Sequence, residues 1–389
     1  MSEAPAPRGE LPSILHVIAG LDTGGIQVGL VNVIEHTAHL FRHSVCCIGR
    51  SGALAERLAS RGVPVHFLPK AERHEWTMFL RVAALCRRLR PDIVHTRNWS
   101  TFDAIPGARL ARVSALIHVD HTWELETGWK PVRRRFARRM LAPLVDRFLV
   151  VSEDVRQSMV RDIGIRAEEI TLIPNGVDTE MFKPAPDRQR LRAERGYTEK
   201  EIVIGSVGRA VRVKNWSALL EAFARLHQGH PHLRLALVGD GPERAASQRQ
   251  AQELGLADAV RFAAHIDQVR EWLAIMDVFA LPSRSEAASI ALLEAMAMAV
   301  PVVATDVGGT SRILNDGVTG RLVRLGDIAS LAETLLAYCE DEPLRRTHGC
   351  AGRSRVEEHF SLGRMAAEYT DVYRSMLRFR SPSARGCSQ

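Results

Sequence analysis

Two glutamates in one apolar segment are the side chains of this sequence best placed to do chemistry. The segment SRSEAASIALLEAMAMAVPVVATDVGG carries Glu286 and Glu294, eight residues apart. Pro282 and Ser283 are typical of a helix start, so the pattern predicts a helix that continues through Met298. Because eight residues make about two turns, both carboxylates would lie on one face of this helix. They could serve a ligand site, or both could be solvated acids of an ordinary amphipathic helix.

The residues after this helix predict how the acids reach a ligand. Val300–Asp306 is short and rich in β-branched residues, which is typical of a buried strand, and Gly308 and Gly309 follow it as a tight turn. A helix, strand and turn in this order would carry the carboxylates towards the carboxyl end of a sheet. Open parallel α/β sheets bind their ligands at that edge.

Two basic residues follow another predicted strand. Gly208 and Arg209 come directly after Ile202–Val207, and Lys214 follows five residues later. A glycine bend with two cations could clamp a diphosphate, because Arg offers forked donors and Lys a mobile point charge. Two exposed cations of an ordinary loop are the alternative, and the position after a strand favours the functional interpretation.

Further glycines and polar residues lie where other strands end. Gly24 and Gly25 follow the first strand and open a helix, whose backbone N–H groups favour anionic oxygens. His118, Asp120 and His121 end the fifth strand at the same edge. The alternatives are a simple turn and structural histidines. The end of the fourth strand adds two weaker candidates, Arg97 and Asn98.

Composition and charge narrow the class of protein. The chain has 389 residues, 46% of them hydrophobic and 25% charged, as is ordinary for a globular protein of two domains. The net charge of +7 is shared by both halves and does not indicate a nucleic-acid-binding domain. The six cysteines lack metal-ligand spacing, and neither a secretory signal nor a membrane-spanning run is found. We therefore expect a cytoplasmic protein with reduced thiols.

One basic run stands out from this distribution. KPVRRRFARR, residues 130–139, contains six basic residues and no acid. On a helical wheel most of the basic residues share one half, and the other half holds Trp129, Val132, Phe136, Met140 and Leu144. The pattern predicts either an interfacial helix on anionic lipid, or a surface helix with its apolar half in the core and its basic half in water.

Short apolar strands alternate with helical segments through the chain. Six candidate strands fall in the first half: Ile14–Ala19, Ser44–Gly49, Val63–Leu68, Ile93–Thr96, Leu116–Val119 and Phe148–Ser152. Five fall in the second half: Ile202–Val207, Leu235–Gly239, Arg261–Ala264, Val278–Pro282 and Val302–Thr305. βαβ units of this length predict two α/β domains with parallel sheets. The polar segment 178–200 separates the halves, and helices near 344–359 and 363–377 follow the last strand.

Taken together, these motifs resemble the retaining glycosyltransferases of family 4, the group 1 glycosyl transferases, which have the GT-B fold. The resemblance spans nearly the whole chain. It rests on the Glu-x7-Glu pair with its flanking Pro-Ser and Pro-Val-Val-Ala-Thr-Asp-x-Gly-Gly, on the Gly-Arg…Lys motif and on PNGVD at 174–178. GGIQVGLVNVI and HTRNW are most similar to sugar transferases associated with PEP-CTERM/exosortase polysaccharide systems.

The resemblance implies an α/β GT-B architecture of two Rossmann-like domains. Residues 1–178 would form the acceptor-side domain, and residues 179–360 the nucleotide-sugar-binding domain across a cleft. Residues 361–389 would form a helix that crosses back onto the first domain, with a disordered tail.

The resemblance also implies a role for each candidate residue. Glu294 would bind the ribose hydroxyls, and Glu286 would approach the donor sugar. Arg209 and Lys214 would hold the pyrophosphate, and His118 would line the acceptor side near the reacting carbon. Further donor-binding positions would be Gly24, Gly25, Gly239, Ala288, Ser289 and Ile290. Arg97, Asn98, Asp120 and His121 are acceptor-side candidates because of their position at the same sheet edge as His118.

The sequence departs from the family pattern at two single positions and in one three-residue stretch. Gln27 stands where Glu is usual, and Arg312 stands where an acid is frequent. Ala287-Ala288-Ser289 replaces Gly-Phe-Gly after the first Glu, so we expect different contacts with the donor sugar.

We therefore expect a metal-independent retaining transferase that moves a hexose-type sugar from a UDP- or GDP-sugar to a saccharide or lipid-linked acceptor. No cofactor is expected, and no Asp-x-Asp metal motif occurs in the sequence. The pathway would be exopolysaccharide or cell-envelope glycan synthesis, at the inner face of a membrane. Three alternatives remain: a sugar-nucleotide epimerase of the same fold, an inactive scaffold, and an oxidoreductase that binds a dinucleotide through GDGPER, residues 239–244, although this segment lacks the third glycine of that fingerprint.

Overall fold

The computed structural model describes residues 11–22, 24–49, 52–68, 77–121, 130–264 and 268–378. Its contacts divide the chain into two compact units. Unit 1 comprises Met1–Pro174 and Met365–Gln389, and unit 2 comprises Asn175–Arg364. The boundaries expected from the sequence, after residues 178 and 360, each lie four residues from the observed ones, after residues 174 and 364.

Unit 1 is built on one parallel sheet of seven strands in the order β3-β2-β1-β4-β5-β6-β7. The strands are β1 (Ser13–Ile18), β2 (Arg42–Cys47), β3 (Val65–Phe67), β4 (Ile93–Arg97), β5 (Ala115–Asp120), β6 (Arg147–Val150) and β7 (Ile170–Leu172). The helices between them are α1 (Gly25–Thr37), α2 (Ala53–Ser60), α3 (Met78–Leu89), α4 (Ala104–Leu110), α5 (Lys130–Leu141) and α6 (Glu153–Ser158). Alternate strand residues enter two different apolar cores, so the sheet is covered on both faces.

Unit 2 repeats the scheme with six parallel strands in the order β10-β9-β8-β11-β12-β13. The strands are β8 (Ile202–Val207), β9 (Leu233–Val238), β10 (Val260–Ala263), β11 (Val278–Leu281), β12 (Val302–Thr305) and β13 (Gly320–Val323). The helices are α7 (Arg188–Glu194), α8 (Trp216–His227), α9 (Arg244–Glu253), α10 (Val269–Ile275), α11 (Ile290–Ala297), α12 (Thr310–Ile313), α13 (Ile328–Glu340) and α14 (Glu342–His359). The last helix, α15 (Leu362–Arg378), belongs to unit 1 from Met365 onwards.

The two parallel sheets confirm the predicted α/β class, and each of the eleven predicted strands is present within two residues of its expected ends. The sequence reading missed β7 and β13. Both lie at a sheet edge and have three and four residues, so each pairs with only one neighbour and leaves a very short apolar signal.

The predicted helix from Ser283 through Met298 is wrong in its first half. The helix begins only at Ile290, because Ser289 caps it by accepting a hydrogen bond from the Leu292 amide at 3.4 Å. Glu286 therefore lies in the loop before α11, and the two carboxylates do not share a helix face.

The orientation of α5 is the reverse of the predicted surface helix with its apolar half in the core and its basic half in water. Its apolar side chains Val132, Phe136 and Met140 are 62–68% exposed, whereas Arg138 is buried. The Arg138 guanidinium lies 2.8 Å from the Asp120 carboxylate and stacks, as does that of Arg134, on the Trp99 ring. A buried acid and an aromatic face thus hold the basic half against the unit, and the apolar half faces outwards. Trp129 lies outside the described residues.

None of the helices in the described part of the chain combines the length and the apolar character needed to cross a membrane.

Candidate functional site

A lysine and a glutamate meet at the carboxyl edge of the unit 2 sheet. Lys214 lies on a short 3₁₀ turn after β8, and its Nζ donates to Glu286 Oε1 at 2.5 Å. Both side chains are largely buried, with 19% and 10% of their surface exposed. Attraction between opposite charges is stronger in such surroundings than in water. The structure therefore joins two residues that lie 72 positions apart in the chain.

A serine fixes the same carboxylate oxygen. Ser283 Oγ donates to Glu286 Oε1 at 2.6 Å, and Ser283 is fully buried just after β11. Thr305, the last residue of β12, donates from its hydroxyl to the Ser283 carbonyl. Glu286 Oε2 accepts no hydrogen bond from a residue that the structure describes. One oxygen of this carboxylate is therefore held, and the other is left for a ligand.

Sequence reasoning missed Ser283 and Thr305 as members of this site. The Pro-Ser pair was interpreted as a helix start, whereas Ser283 lies in the loop and orients Glu286. Asn215 also supports the loop, because its Nδ2 donates to the Pro282 carbonyl at 3.1 Å. A hydroxyl residue three positions before an acid at a strand end is the signal that could have identified Ser283.

The glycine pair after β12 brackets the Glu286 backbone. The Gly309 amide donates to the Glu286 carbonyl at 2.9 Å. Gly308 has a φ of +54°, and a Cβ at this position would lie 1.9 Å from the same carbonyl oxygen. A side chain at position 308 would therefore displace the loop that carries Glu286.

Glu294 lies inside α11, whereas Glu286 lies in the loop before this helix. No described residue donates a hydrogen bond to its carboxyl group, and part of the residue remains accessible. Burial raises the pKa of Glu294 to about 8. Hydroxyl groups can stabilise a buried carboxyl group that has no partner, because they donate hydrogen bonds to its oxygens without adding a second charge.

Two other predicted donor-side residues follow β8 and β9. Arg209 is exposed and pairs with no acid in the described residues. Gly239 has a φ of +142°, and a Cβ there would lie 1.9 Å from the Gly208 carbonyl oxygen. The close approach of these two loops thus explains the glycine, while the Arg209 guanidinium is available to a ligand.

The loop that replaces Gly-Phe-Gly is anchored from a distant part of unit 2. Asn175 Nδ2 donates to the Ala288 carbonyl at 3.0 Å. Ser289 caps α11, and Ile290 begins it. The PNGVD segment at 174–178 therefore supports the loop between Glu286 and α11 through Asn175.

In unit 1, Gly24 is the N-cap of α1 and Gly25 its first residue. Gly24 has extended backbone and offers no side-chain acceptor to the first-turn amides. Thr23 lies outside the described residues. No described side chain caps the first-turn amides of α1, so this helix N-terminus could receive an anionic oxygen.

His118 is almost fully buried at the end of β5. Its Nδ1 lies 2.8 Å from Thr96 Oγ1, and the Phe102 and Phe148 rings meet it edge-on. Burial, reinforced by the Arg138 charge, lowers the pKa of His118 to about 3, so the imidazole is neutral. Its Nε2 has no hydrogen-bond partner among the described residues.

The ends of β4 and β5 are tied together. The His121 amide donates to Asn98 Oδ1 at 2.8 Å, and Arg97 Nη1 lies 3.5 Å from His121 Nε2. Burial raises the pKa of Asp120, and the adjacent Arg138 opposes this shift. The structure therefore brings the four predicted acceptor-side residues to one edge of the unit 1 sheet.

Each unit thus presents its own chemistry at the carboxyl edge of its sheet. Unit 2 offers a lysine, an exposed arginine and two carboxyl groups with free oxygens, which suits a ligand that combines hydroxyls with an anion. Unit 1 offers neutral histidines and buried arginines. Among the described residues, no group of three His, Cys, Asp or Glu side chains is arranged to hold a metal ion.

Comparisons with known proteins cover both units. The family Glycosyl transferases group 1 matches residues 187–355, and Glycosyltransferase Family 4 matches residues 23–181. The chain is 30% identical to the alpha-maltose-1-phosphate synthase of Mycolicibacterium smegmatis over 311 residues, which cover 73% of this chain and 79% of that protein.

Two further similarities differ in extent. The N-acetyl-alpha-D-glucosaminyl L-malate synthase of Bacillus anthracis is 32% identical over 211 residues. These residues cover 54% of this chain and 55% of that protein, so the chain matches about half of its length. The crystal structure of Anabaena Alr3699/HepE in complex with UDP-glucose superposes with a TM-score of 0.81 at 22% identity, covering 93% of this chain and 99% of that one. At this identity the superposition shows the fold.

Proposed function

Since the chain belongs to the glycosyltransferases of group 1 and family 4, with the GT-B fold, we propose that it transfers a hexose-type sugar with retention of configuration. The donor is a nucleotide diphosphate sugar, and the acceptor is a saccharide or a lipid-linked saccharide. The observation that carries this proposal is the Lys214–Glu286 pair, in which a cation lies beside a carboxylate with one free oxygen.

Unit 2 binds the donor in this proposal. Glu294 accepts hydrogen bonds from the ribose hydroxyls, and Glu286 Oε2 accepts from a hydroxyl of the sugar. Arg209 and Lys214 hold the diphosphate. The Anabaena protein of the same fold was crystallised with UDP-glucose, which supports a UDP-sugar as the first donor to test, with GDP-sugars as the second.

Lys214 and Arg209 assist departure of the diphosphate. When the bond between the sugar C1 and the phosphate oxygen breaks, negative charge grows on the leaving group, and cations aimed at that oxygen stabilise the transition state more than the ground state. Glu286 keeps the Lys214 ammonium in place through an ion pair before the donor arrives. We propose that these two cations perform this role without a metal ion.

Retention follows from attack on the face that the diphosphate leaves. A double displacement would need a carboxylate nucleophile on the opposite face of the sugar. Glu286 Oε1 is already engaged by Lys214 and Ser283, which fits a group that orients the sugar. In the proposed step the acceptor hydroxyl bonds to C1 and its proton passes to the departing diphosphate. His118 and its neighbours in unit 1 serve the acceptor.

The acceptor is proposed to belong to exopolysaccharide or cell-envelope glycan synthesis, of the PEP-CTERM type, at the inner face of the membrane. The exposed apolar half of α5 supports contact with a membrane, because the described residues of the unit leave Val132, Phe136 and Met140 mostly uncovered. Arg139 is also exposed on this helix and would favour anionic lipid.

A thermal-shift screen with UDP-, GDP- and ADP-sugars tests the donor. A ligand at 100 times its Kd stabilises the native state by about 2.7 kcal/mol, which is readily measured. The preferred donor is then incubated with saccharide acceptors, and NMR of the product shows whether the anomeric configuration is retained. UDP release without transfer would favour an epimerase, and no response to any nucleotide sugar would contradict the proposal.

A further inference from the structure

Arg97 is a buried arginine whose charge no acid balances in the described part of the chain. It ends β4 and is only 2% exposed. Its Nη1 approaches His121 Nε2 at 3.5 Å, which is a weak contact with a neutral ring. Its Nε and Nη2 have no hydrogen-bond partner among the residues that the structure describes. The guanidinium remains charged at any pH at which proteins fold, so the burial is costly unless an anion is supplied.

The two free nitrogens form the edge of the guanidinium that grips anions. Nε and Nη2 point in the same direction and bind both oxygens of a carboxylate or phosphate. Arg57 uses this edge in the same unit, donating from Nε to Glu35 Oε1 at 3.0 Å and from Nη2 to Glu35 Oε2 at 2.7 Å. Arg97 presents the same edge unfilled.

Among the described residues, the surroundings of Arg97 offer no unpaired negative charge. Asp120, the nearby acid on β5, is paired with Arg138. Burial and then the Arg97 charge lower the pKa of His95 and His121, so these rings stay neutral. The Tyr369 ring, with its centre 6.0 Å from the guanidinium carbon, covers another side. The site is therefore positive and provides hydrogen-bond donors in a fixed direction.

We propose that Arg97 binds a carboxylate or phosphate group of the acceptor substrate, which makes the acceptor an anion. Arg97 lies at the carboxyl edge of the sheet, where α/β units bind ligands. The identification of the ligand as the acceptor rests on the proposed transferase function, whereas anion binding by Arg97 does not.

The test compares the wild-type protein with Arg97→Met, a chain of similar length without charge. Melting temperatures are measured in sodium phosphate, in sodium acetate and in sodium chloride at equal ionic strength, with UDP at saturation to fill the diphosphate site of unit 2. We expect Arg97→Met to melt about 2–4 °C higher than wild type in chloride, because a buried unpaired charge is removed. Phosphate or acetate should raise the wild-type value and leave the variant unchanged, and the more effective anion identifies the group.

Two further variants distinguish the effect of the Arg97 fork from that of its charge and from that of an ordinary surface arginine. Arg97→Lys keeps the charge without the fork, so we expect neither the gain in chloride nor the full response to anions. Arg88→Met, on the exposed face of α3, should respond to anions as the wild type does.

A lower melting temperature of Arg97→Met in chloride would overturn the proposal, because Arg97 would then have a partner within the chain. The segment 122–129, outside the described residues, contains two acids that could be this partner. Equal responses of wild type and Arg97→Met to the anions, or no response of the wild type, would also overturn it. Failure of UDP to stabilise either protein would count against the proposed function and not against anion binding.

Discussion

Tyr373 in α15 and His95 in β4 share a hydrogen bond of 2.9 Å, although 278 residues separate them in the chain. Both side chains are fully buried. The Tyr373 ring also meets the Phe41 ring edge-on at 5.4 Å and lies beside the His16 ring. The last helix is therefore part of the interior of unit 1.

We expect Tyr373→Phe to destabilise the protein by about 1–2 kcal/mol, because the buried His95 Nδ1 loses its partner. Chemical denaturation followed by circular dichroism measures the change. Tyr369→Phe is the matched control, since no described residue bonds to the Tyr369 hydroxyl, and it should have a smaller effect. Equal effects of the two variants would show that the hydrogen bond between Tyr373 and His95 adds nothing to stability.

Glu294→Ala should lose affinity for the nucleotide while the fold remains intact. A carboxylate bonded to ribose hydroxyls contributes roughly 1.5–3 kcal/mol, which corresponds to about a tenfold to hundredfold weaker Kd. Isothermal titration with UDP measures it, and circular dichroism checks the fold. Unchanged UDP affinity would rule out the ribose assignment.

The same residue should make stability depend on pH. The pKa of Glu294 is about 8 in the folded protein, against 4.5 for the free side chain. Between pH 4.5 and pH 8 the native state therefore holds a proton that the unfolded state has lost. The contribution of this proton to the stability of the native state is complete below pH 4.5 and is lost as the pH rises to 8.

Glu294→Gln cannot ionise, so its advantage over wild type in melting temperature should grow from pH 5 to pH 8 and then level off. After allowance for the accessible part of the residue, we expect the free energy of unfolding of Glu294→Gln to exceed that of wild type by about 1–3 kcal/mol at pH 8. A constant difference across this range would show that Glu294 titrates normally.

Lys214→Ala should lower kcat by more than it raises KM, because the cation acts mainly on charge that develops in the transition state. Arg212→Ala, on the same 3₁₀ turn, is the matched control and should retain most activity. Activity should also survive EDTA. Complete loss with the chelator, reversed by Mg²⁺ or Mn²⁺, would replace the cation clamp with a metal site.

Replacing Val132, Phe136 and Met140 with Ser should abolish binding to anionic vesicles. Each apolar side chain that enters the lipid contributes about 1.5–3 kcal/mol, so the triple variant should bind at least tenfold more weakly in co-sedimentation. The same change at Leu254, Val318 and Leu325, which are exposed in unit 2, is the control.

Arg139→Gln should weaken binding to the vesicles at low salt only, because the Debye length falls from about 10 Å at 0.1 M to about 3 Å at 1 M. Wild type that ignores vesicles at low salt would refute membrane docking.

The order of strands and the loops that follow them could be predicted from the sequence, because apolar runs and glycines mark them directly. The environment of Glu286 could not. Lys214 and Ser283 bond to Glu286, and Thr305 supports Ser283, from the ends of three different strands that only the folded sheet brings together. The eight-residue spacing of Glu286 and Glu294 indicated a helix, but the cap formed by Ser289 begins the helix after Glu286.

The orientation of α5 also depends on tertiary partners. A helical wheel divides the residues into two halves but does not say which half is covered. The buried carboxylate of Asp120 and the ring of Trp99 decide this, and neither is recognisable as a partner of Arg138 from the sequence.

During synthesis the ribosome delivers the sheet of unit 1 long before the helix that completes it. Tyr373 emerges about 200 residues after Pro174, which takes roughly 10–40 s at ordinary elongation rates. For this time Phe41, His16 and His95 lack the ring that covers them in the finished protein. Unit 2, which is continuous from Asn175 to Arg364, emerges whole before the part of α15 that belongs to unit 1. These rings of the nascent first half therefore stay without their native cover until translation is nearly complete.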